Sequence, residues 1–582
     1  LQPITRREWA AVAAWACALA SVPAALLWHG YSLATEGSVY TGYLGPYPND
    51  YHGYLAWIRQ ALDGRLLFRN LYTTEPHAGV FFHPLFWGIG AAARVTGLPV
   101  MLVWYAVHLV GYGLMVAAIY RFCSLFTDRR GTRRLALVLA TTASGVGWLA
   151  DPGAGTHHLQ RPIDVWMAEA NAFQPLITSF FTLPAALALL LMSMTHAIRH
   201  LRGSGMRDAL LAGVYALALA AVHPYDLVTL LSVLAVWTLL AGRRYYRGML
   251  LAAAIPVPYV LYGLAVVGLS PVFSRMDWSM PSATPWAHAT GWGLPLVLCV
   301  TALLLPRVWA RNREVRYLAA WLAVNLALIW LPLSFQRRML WGVHVVISLL
   351  AAMALAALLE GATRRIRSRP RRAALCAALA LGTAGLSAIG SGRLVAVQVE
   401  RQRSLAFGDY LPDGVVEGLR WLAAHRDGAE SVVAPLPISA LVPGRSGMTV
   451  FGGHWAQTID LRDKQRFVRS LFRAPESLGT ERVRRVLARN RVRYVVLGAE
   501  GDPQGRTRAG LSSSPLLRQV LHNDALTIWE YRDYRSASPT EPWESGDWRG
   551  EGGSSAGQAP QAFGDAAIEA SRGAACDGPA AS

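Results

Sequence analysis

The sequence predicts a mainly α-helical, polytopic membrane bundle with a small C-terminal α/β domain, on three observations. Of 582 residues, 53% are hydrophobic and 16% charged, and 21 are tryptophan, giving a mean hydropathy of +0.29; soluble chains carry about a quarter charged residues. Apolar runs recur as far as residue 391, long enough at 1.5 Å per helical residue to cross a hydrocarbon core about 30 Å thick. Short arginine clusters separate these runs.

The runs 175–195 and 339–359 are apolar all round, as helices facing lipid or other buried helices are. The net charge of +19 sits largely in Arg6/Arg7, Arg129/Arg130/Arg133/Arg134, Arg199/Arg202/Arg207, Arg243/Arg244/Arg247, Arg307/Arg311/Arg313/Arg316 and the stretch from Arg364 to Arg372. Such placement follows the positive-inside rule rather than the patch of a nucleic-acid binder, so no nucleic acid partner is expected. With the clusters cytoplasmic, about eleven spans are required: 9–29, 98–120, 135–150, 175–197, 208–222, 227–242, 249–268, 291–306, 317–333, 339–359 and 373–391. With the N-terminus in the cytoplasm, an odd number of crossings puts everything after about 392 outside a cell (inner or plasma) membrane. Residues 80–96 are also apolar, but a span there would put the Arg129 cluster on the wrong face, so a short helix lying along the outer interface is expected. Ala18-Leu19-Ala20 resembles a signal cleavage site. Because the apolar stretch continues to Trp28, a span is expected there.

Cys17, Cys299 and Cys376 fall within spans, Cys123 at a cytoplasmic end and Cys576 in the tail, with no disulfide or metal-ligand spacing. No metal-ligand set is assigned. The chain divides into a membrane domain, 1–391, with a first outer loop at 30–97, then an α/β domain, 392–535, and a tail, 536–582. Helical stretches (VVEGLRWLAAH, DKQRFVRSLF, ERVRRVLARNR) alternate with short β-rich ones (SVVAPL, RYVVLG, LTIWEY) in the α/β domain. The tail is rich in Gly, Ala, Ser and Pro, a composition expected to be disordered.

Long polar loops between membrane helices usually have a task beyond connection. In the first, Asp50 stands at the start of an amphipathic stretch, 51–62, flanked by Tyr51, His52 and Tyr54. An acid there can cap a helix. Held just outside the bilayer, it can also act as a base, taking the proton of an attacking hydroxyl.

Asp50, Tyr54, Gln60-Ala61 and Gly64, followed by the His83-Pro84 amphipathic segment, resemble the first outer loop of the GT-C superfamily of membrane glycosyltransferases. That superfamily includes protein O-mannosyltransferases and lipid A aminoarabinose transferases. The resemblance covers the topology of 1–391, and the stretch 444–460 (GRSGMTVFGGHWAQTID) is similar to one in the outer domain of some such proteins. It implies an integral membrane glycosyltransferase that takes a sugar from a polyprenyl-phosphate donor, with Asp50 as catalytic base and Tyr54 and His83 near substrate. Many members carry two adjacent acids, whereas here Asp50 follows Asn49. That departure puts a metal-dependent mechanism in doubt, so a divalent cation stays open as a cofactor and none is assigned.

Other outer positions fit the same picture. His223-Pro224-Tyr225-Asp226 lies between two spans, where Pro224 can break one helix and Asp226 cap the next, or His223 and Asp226 can meet substrate. The loop 151–174 offers Asp164, Glu169, Asn171 and Gln174 to sugar hydroxyls, or simply to solvent. Arg337 and Arg338 break the charge rule by standing outside. An arginine near the bilayer either snorkels to the interface or pairs with an anion, and a lipid phosphate matches a guanidinium fork. The glycine-rich 444–453 lacks the spacing and the lysine of a phosphate loop and is expected to be a turn, with His454 and Trp455 available to acceptor or glycan.

The expected reaction is inverting: Asp50 deprotonates an acceptor hydroxyl of a glycan, lipid or protein, and Arg337 or Arg338 neutralises the departing lipid phosphate. Two other classes fit many helices and basic outer residues. A transporter or flippase of lipid-linked sugars would show repeats and interrupted helices carrying charge. A non-catalytic assembly protein would use its outer domain for binding and leave Asp50 dispensable.

Overall fold

The computed structural model describes residues 3–535 apart from 46–47, 147–148, 150–172, 179, 278, 283, 313 and 429; the expected tail lies outside the described residues. Helix α1 (Arg6–Ser32) opens on a capping box, in which Thr5 Oγ1 accepts the Glu8 N–H while the Glu8 carboxylate accepts the Thr5 N–H. Glu8 is buried, so its charge needs partners. It accepts from the Tyr120 hydroxyl at 2.8 Å and from Arg133 Nη1 at 3.3 Å. The acid thus ties α1 to α4 (Val100–Cys123) and α5 (Arg130–Thr142) at the face of the bundle where the arginine clusters gather.

Between α1 and α4 lie α2 (Pro48–Leu62) and α3 (Pro84–Thr96). The bundle continues with α6 (Thr182–Leu201), α7 (Met206–Val222) and α8 (Tyr225–Ala241). A pair bent by 42° follows, α9 (Tyr246–Ala254) and α10 (Val257–Leu269), hinged at Pro256. Then come α11 (Pro285–Leu304), α12 (Val315–Leu328), a 3-10 turn (Gln336–Leu340) and α13 (Val343–Ala362). A second pair, α14 (Arg369–Ser387) and α15 (Ile389–Arg403), is bent by 43°.

Among the described residues, five helices are long and apolar enough to cross a membrane, or up to seven if each bent pair is one span. Each run expected to span contains a helix among the described residues, but several of these helices stop short. α5 has 13 residues, α12 has 14, and α7 and α8 have 17 each, so they reach about 20 to 26 Å at 1.5 Å per residue. The reason is visible at α5, where Ala143 turns extended and Ser144 donates through N–H and Oγ to Ser387 O, at 2.7 and 3.0 Å. Hydrophobicity continues along the chain there, while the backbone bonds pass to a neighbouring helix. The short helix expected at 80–96 appears as α3, which starts four residues later, with His83 as its N-cap, and ends at Gly97 in the left-handed region.

The helical run expected to end at 391 continues as α15 to Arg403, and the chain then enters the C-terminal domain through β2 (Tyr410–Pro412). This strand pairs antiparallel with β1 (Ser38–Tyr40), just after α1. The domain holds a five-stranded mixed sheet of order β4-β3-β5-β7-β6. Here β3 (Ser431–Val433) runs parallel to β4 (Thr449–Val450) and β5 (Val492–Gly498), while β7 (Leu526–Tyr531) is antiparallel to β5 and to β6 (Leu517–His522). The expected helices appear as α16 (Asp413–Ala424), α18 (Leu461–Arg473) and α19 (Glu481–Arg489), with α17 (Ile438–Ser446) between the first two.

Candidate active site at the junction of bundle and domain

Asp50 stands inside the first turn of α2 rather than at the residue before it, where the helix dipole favours a carboxylate. Its Oδ1 accepts the indole N–H of Trp455, from the C-terminal domain, at 2.9 Å. The loop that carries Trp455 is fixed from both sides. His454 Nδ1 accepts the N–H groups of Ala456 and Gln457, at 3.1 and 3.3 Å, and Thr458 Oγ1 those of Gly453 and His454, at 3.1 and 3.0 Å. From the first loop, Asn70 Nδ2 donates to Gln457 O at 2.6 Å. Gly53 makes the approach possible, since a Cβ there would stand 2.8 Å from Gln457 Nε2 and 2.9 Å from His454 Nε2. Burial holds the imidazoles of His52 and His454 down at about 3, so both are neutral at pH 7.

A second bond joins loop and domain. Lys464 and Glu75 are buried together, Nζ to Oε1 2.8 Å, and Lys464 also donates to Thr73 Oγ1 at 3.2 Å. Burial pushes the Glu75 carboxyl up, but the ammonium outweighs it and holds the group below its usual range.

Tyr54 follows Asp50 by one helical turn and packs among Phe86, Trp104, Phe180 and Phe181, at ring-centroid distances of 5.1 to 6.2 Å. Burial, then the negative field of Asp50, pushes its phenol up to about 12, with Arg338 acting in the opposite direction. Tyr54 therefore lies within the fields of both Asp50 and Arg338 and stays a neutral hydroxyl.

Arg338 sits in the 3-10 turn before α13. Its Nη1 is 3.3 Å from His223 Nε2, and its guanidinium lies over the Tyr225 ring at 5.1 Å. His223 Nδ1 is 3.0 Å from Asp226 Oδ2. Because arginine only donates, His223 Nε2 accepts, while His223 Nδ1 faces the Asp226 carboxylate without a hydrogen bond between them among the described residues. Asp226, His223 and Arg338 form one row across the start of α8, with Tyr225 beneath the cation. Arg337 stands one residue earlier on the same turn, its N–H donating to Met280 O at 3.2 Å.

His83 is placed beside this row, with both ring nitrogens engaged by protein. Nδ1 caps α3 by accepting the Phe86 N–H at 3.4 Å, and Nε2 donates to Val222 O at 3.0 Å. Burial holds its imidazole at about 4. The residue thus braces the end of α7, next to His223. Glu169, Asp164 and Asn171 lie outside the described residues; Gln174 opens a short helix (Gln174–Thr178), and its side chain is likewise outside the description. Among the described residues, no group of three or more His, Cys, Asp or Glu is arranged to hold a metal ion.

Of the residues expected to act together, the structure gathers Asp50, Tyr54, Arg338, His223 and Asp226 near one junction. Sequence reasoning missed Trp455 as the partner of Asp50, Tyr225 beneath Arg338, and Gly53. The stretch 444–460 was conspicuous, but nothing in it named its partner.

No family model matches the chain, and no curated protein matches it. Solved structures do resemble it. Arabinofuranosyltransferase AftD from Mycobacteria shares 17% identity at a TM-score of 0.54, over 91% of this chain and 40% of that one. ArnT from Cupriavidus metallidurans bound to undecaprenyl phosphate shares 13% identity at a TM-score of 0.47, over 90% and 99% of the two chains. The likeness to AftD shows a common fold across nine-tenths of this chain, which spans about 40% of AftD's length.

Proposed function

We propose that this protein is an integral membrane glycosyltransferase that moves a sugar from a polyprenyl-phosphate donor to a hydroxyl acceptor, a glycan, lipid or protein. The observation that carries the proposal is the Asp50 carboxylate held by the Trp455 N–H, 2.9 Å away, at the junction of bundle and domain, in a chain that also braces the guanidinium of Arg338 against His223 at 3.3 Å. A base and a phosphate-binding cation are what displacement of a lipid phosphate by a hydroxyl requires. The fold shared with an arabinofuranosyltransferase supports the same reading.

In the proposed reaction the acceptor oxygen attacks the anomeric carbon as its proton passes to the Asp50 carboxylate. The bond between that carbon and the phosphate oxygen breaks, and the electron pair leaves with the lipid phosphate, whose charge Arg338 meets. In-line attack inverts the anomeric centre. The Trp455 N–H orients the base, and the His223–Asp226 pair orients the arginine. Arg337 is assigned to the same phosphate, and Glu169 and Gln174 to sugar hydroxyls. The membrane arrangement proposed with it has eleven crossings, the arginine-rich face in the cytoplasm and the C-terminal domain outside.

Sugar transfer in membranes expressing the wild-type, Asp50→Asn and Arg338→Ala proteins at matched levels, with a panel of radiolabelled polyprenyl-phosphate sugars, tests the proposal. Transfer by wild type that Asp50→Asn abolishes supports it. Equal transfer by Asp50→Asn removes the base. The bent pairs α9–α10 and α14–α15 favour a second reading, transport of lipid-linked sugars. Movement of such a lipid across a proteoliposome membrane with no new glycosidic bond would establish that reading instead.

A further inference from the structure

A cavity of about 330 Å³ lies where α2, the start of α4 and α16 meet, lined by Arg59, Arg420 and Arg445 and by Leu62, Val100 and Leu419. It is separate from the candidate active site. Arg59 follows Asp50 by nine residues on α2, which at about 100° per residue places it half a turn round the helix. Helix α2 is thus the wall between the two.

The charges in this cavity do not balance. Arg59 has a carboxylate, with Nε 3.3 Å from Asp63 Oδ1, but that acid also holds Arg426 at 2.7 Å. Neither Arg420 nor Arg445 has an ion-pair partner among the described residues. The Nε and Nη2 of Arg445 are buried and donate no hydrogen bond among the described residues. Its guanidinium lies 6.0 Å from the centre of the Tyr43 ring and meets that side chain, a neutral partner that leaves the charge unmatched. Buried guanidinium N–H groups without acceptors are costly, and an anion with several oxygens satisfies them best.

The remaining wall is apolar and adjoins exposed apolar side chains. Val100 begins a membrane-length helix, and on either side of it Leu98 and Leu102 are 46% and 55% exposed. Cationic head space that opens onto a greasy track at a helix end fits an anionic headgroup whose tail stays in the bilayer.

We infer that this cavity binds the phosphate of a lipid from the leaflet on the C-terminal-domain side, with Arg420 and Arg445 on the phosphate and the chain along Leu98 to Leu102. This site goes beyond the proposed transfer reaction and is independent of it.

The full chain in phosphatidylcholine nanodiscs, given phosphatidic acid with a diazirine in its acyl chain, tests the inference by peptide mapping of the crosslinks. Labelling of the segments 55–62 and 98–102 is expected. It should fall at least tenfold in Arg420→Gln/Arg445→Gln and in Val100→Trp, which fills the cavity and leaves the charge. Diacylglycerol with the same diazirine chain should label at a tenth of that level or less. Should the double variant lose its fold, Arg420→Gln alone, at an exposed residue, and Val100→Trp decide. Equal labelling by diacylglycerol, or unchanged labelling in the variants, would overturn the site. Competition by millimolar inorganic phosphate would overturn the lipid assignment in favour of a free anion. Asp50→Asn should label as wild type does, so failure of the transferase reading and failure of this one are told apart.

Discussion

Trp455 donates its indole N–H to the Asp50 carboxylate at 2.9 Å across 405 residues of chain. One partner opens the first helix after α1, and the other lies in a domain that begins after the last helix of the bundle. A carboxylate exposed in a mobile loop can take many orientations, whereas this one is fixed by a donor whose own loop is pinned by His454 and Thr458.

Trp455→Phe keeps the ring and removes the donor. A hydrogen bond to a charged group contributes about 1.5 to 3 kcal/mol, so sugar transfer should fall at least tenfold with the melting temperature little changed. Initial rates in membranes at matched protein level check this. A rate equal to wild type would mean that the bond does not orient the base.

Lys464 and Glu75 form the second tie between loop and domain. Breaking a buried pair from one side leaves an uncompensated charge and costs about 3 to 5 kcal/mol. Lys464→Met should therefore lower the melting temperature and expose the first loop to protease, while Lys464→Met/Glu75→Leu should recover much of the loss. If the double variant is as unstable as the single one, the pair is not acting as a unit.

Local chemistry was legible in the sequence; long-range pairing was not. Asp50 could be placed at the start of a helical stretch that carries Tyr54 because amphipathic spacing is a local signal, and the helices of the C-terminal domain showed their apolar period. By contrast β4 has only two residues, Thr449 and Val450, and depends on β3 beside it. β6 presents Arg518 and Gln519 to solvent and offers little strand pattern. The end of α5 at Thr142 depends on Ser387 O, 243 residues away from Ser144. The cluster around Arg338 was half legible. Its break of the charge rule marked the arginine, but only the fold brings it to His223.

Acid should loosen the junction before it protonates most carboxylates. His83 is held at about 4, and His52 and His454 at about 3, against 6.5 in an unfolded chain. Below pH 6.5 the unfolded chain therefore binds protons that the folded one refuses. Stability that is fully present above pH 6.5 is lost as the pH falls toward 4. The melting temperature should drop across that window, and less steeply in His454→Gln, which cannot take up the proton. A flat profile from pH 6.5 to 4.5 would contradict the burial of these imidazoles.

Arg338 and His223 should behave as one unit toward the donor. His223 accepts from Arg338 and stands 3.0 Å from the Asp226 carboxylate, so loss of the imidazole frees the guanidinium to swing away from the place where a phosphate would arrive. His223→Ala should raise the donor KM several-fold and leave acceptor KM unchanged. Arg338→Lys keeps the charge but loses the fork, and should raise donor KM about tenfold, one bidentate contact being worth more than a point charge. If the two side chains act through the same phosphate, the double variant His223→Ala/Arg338→Lys should be scarcely worse than Arg338→Lys alone, because the second change removes a brace whose load has already gone. Strictly additive effects would instead assign His223 to a separate contact, with substrate or with Asp226 alone, and leave Arg338 to hold the phosphate unaided.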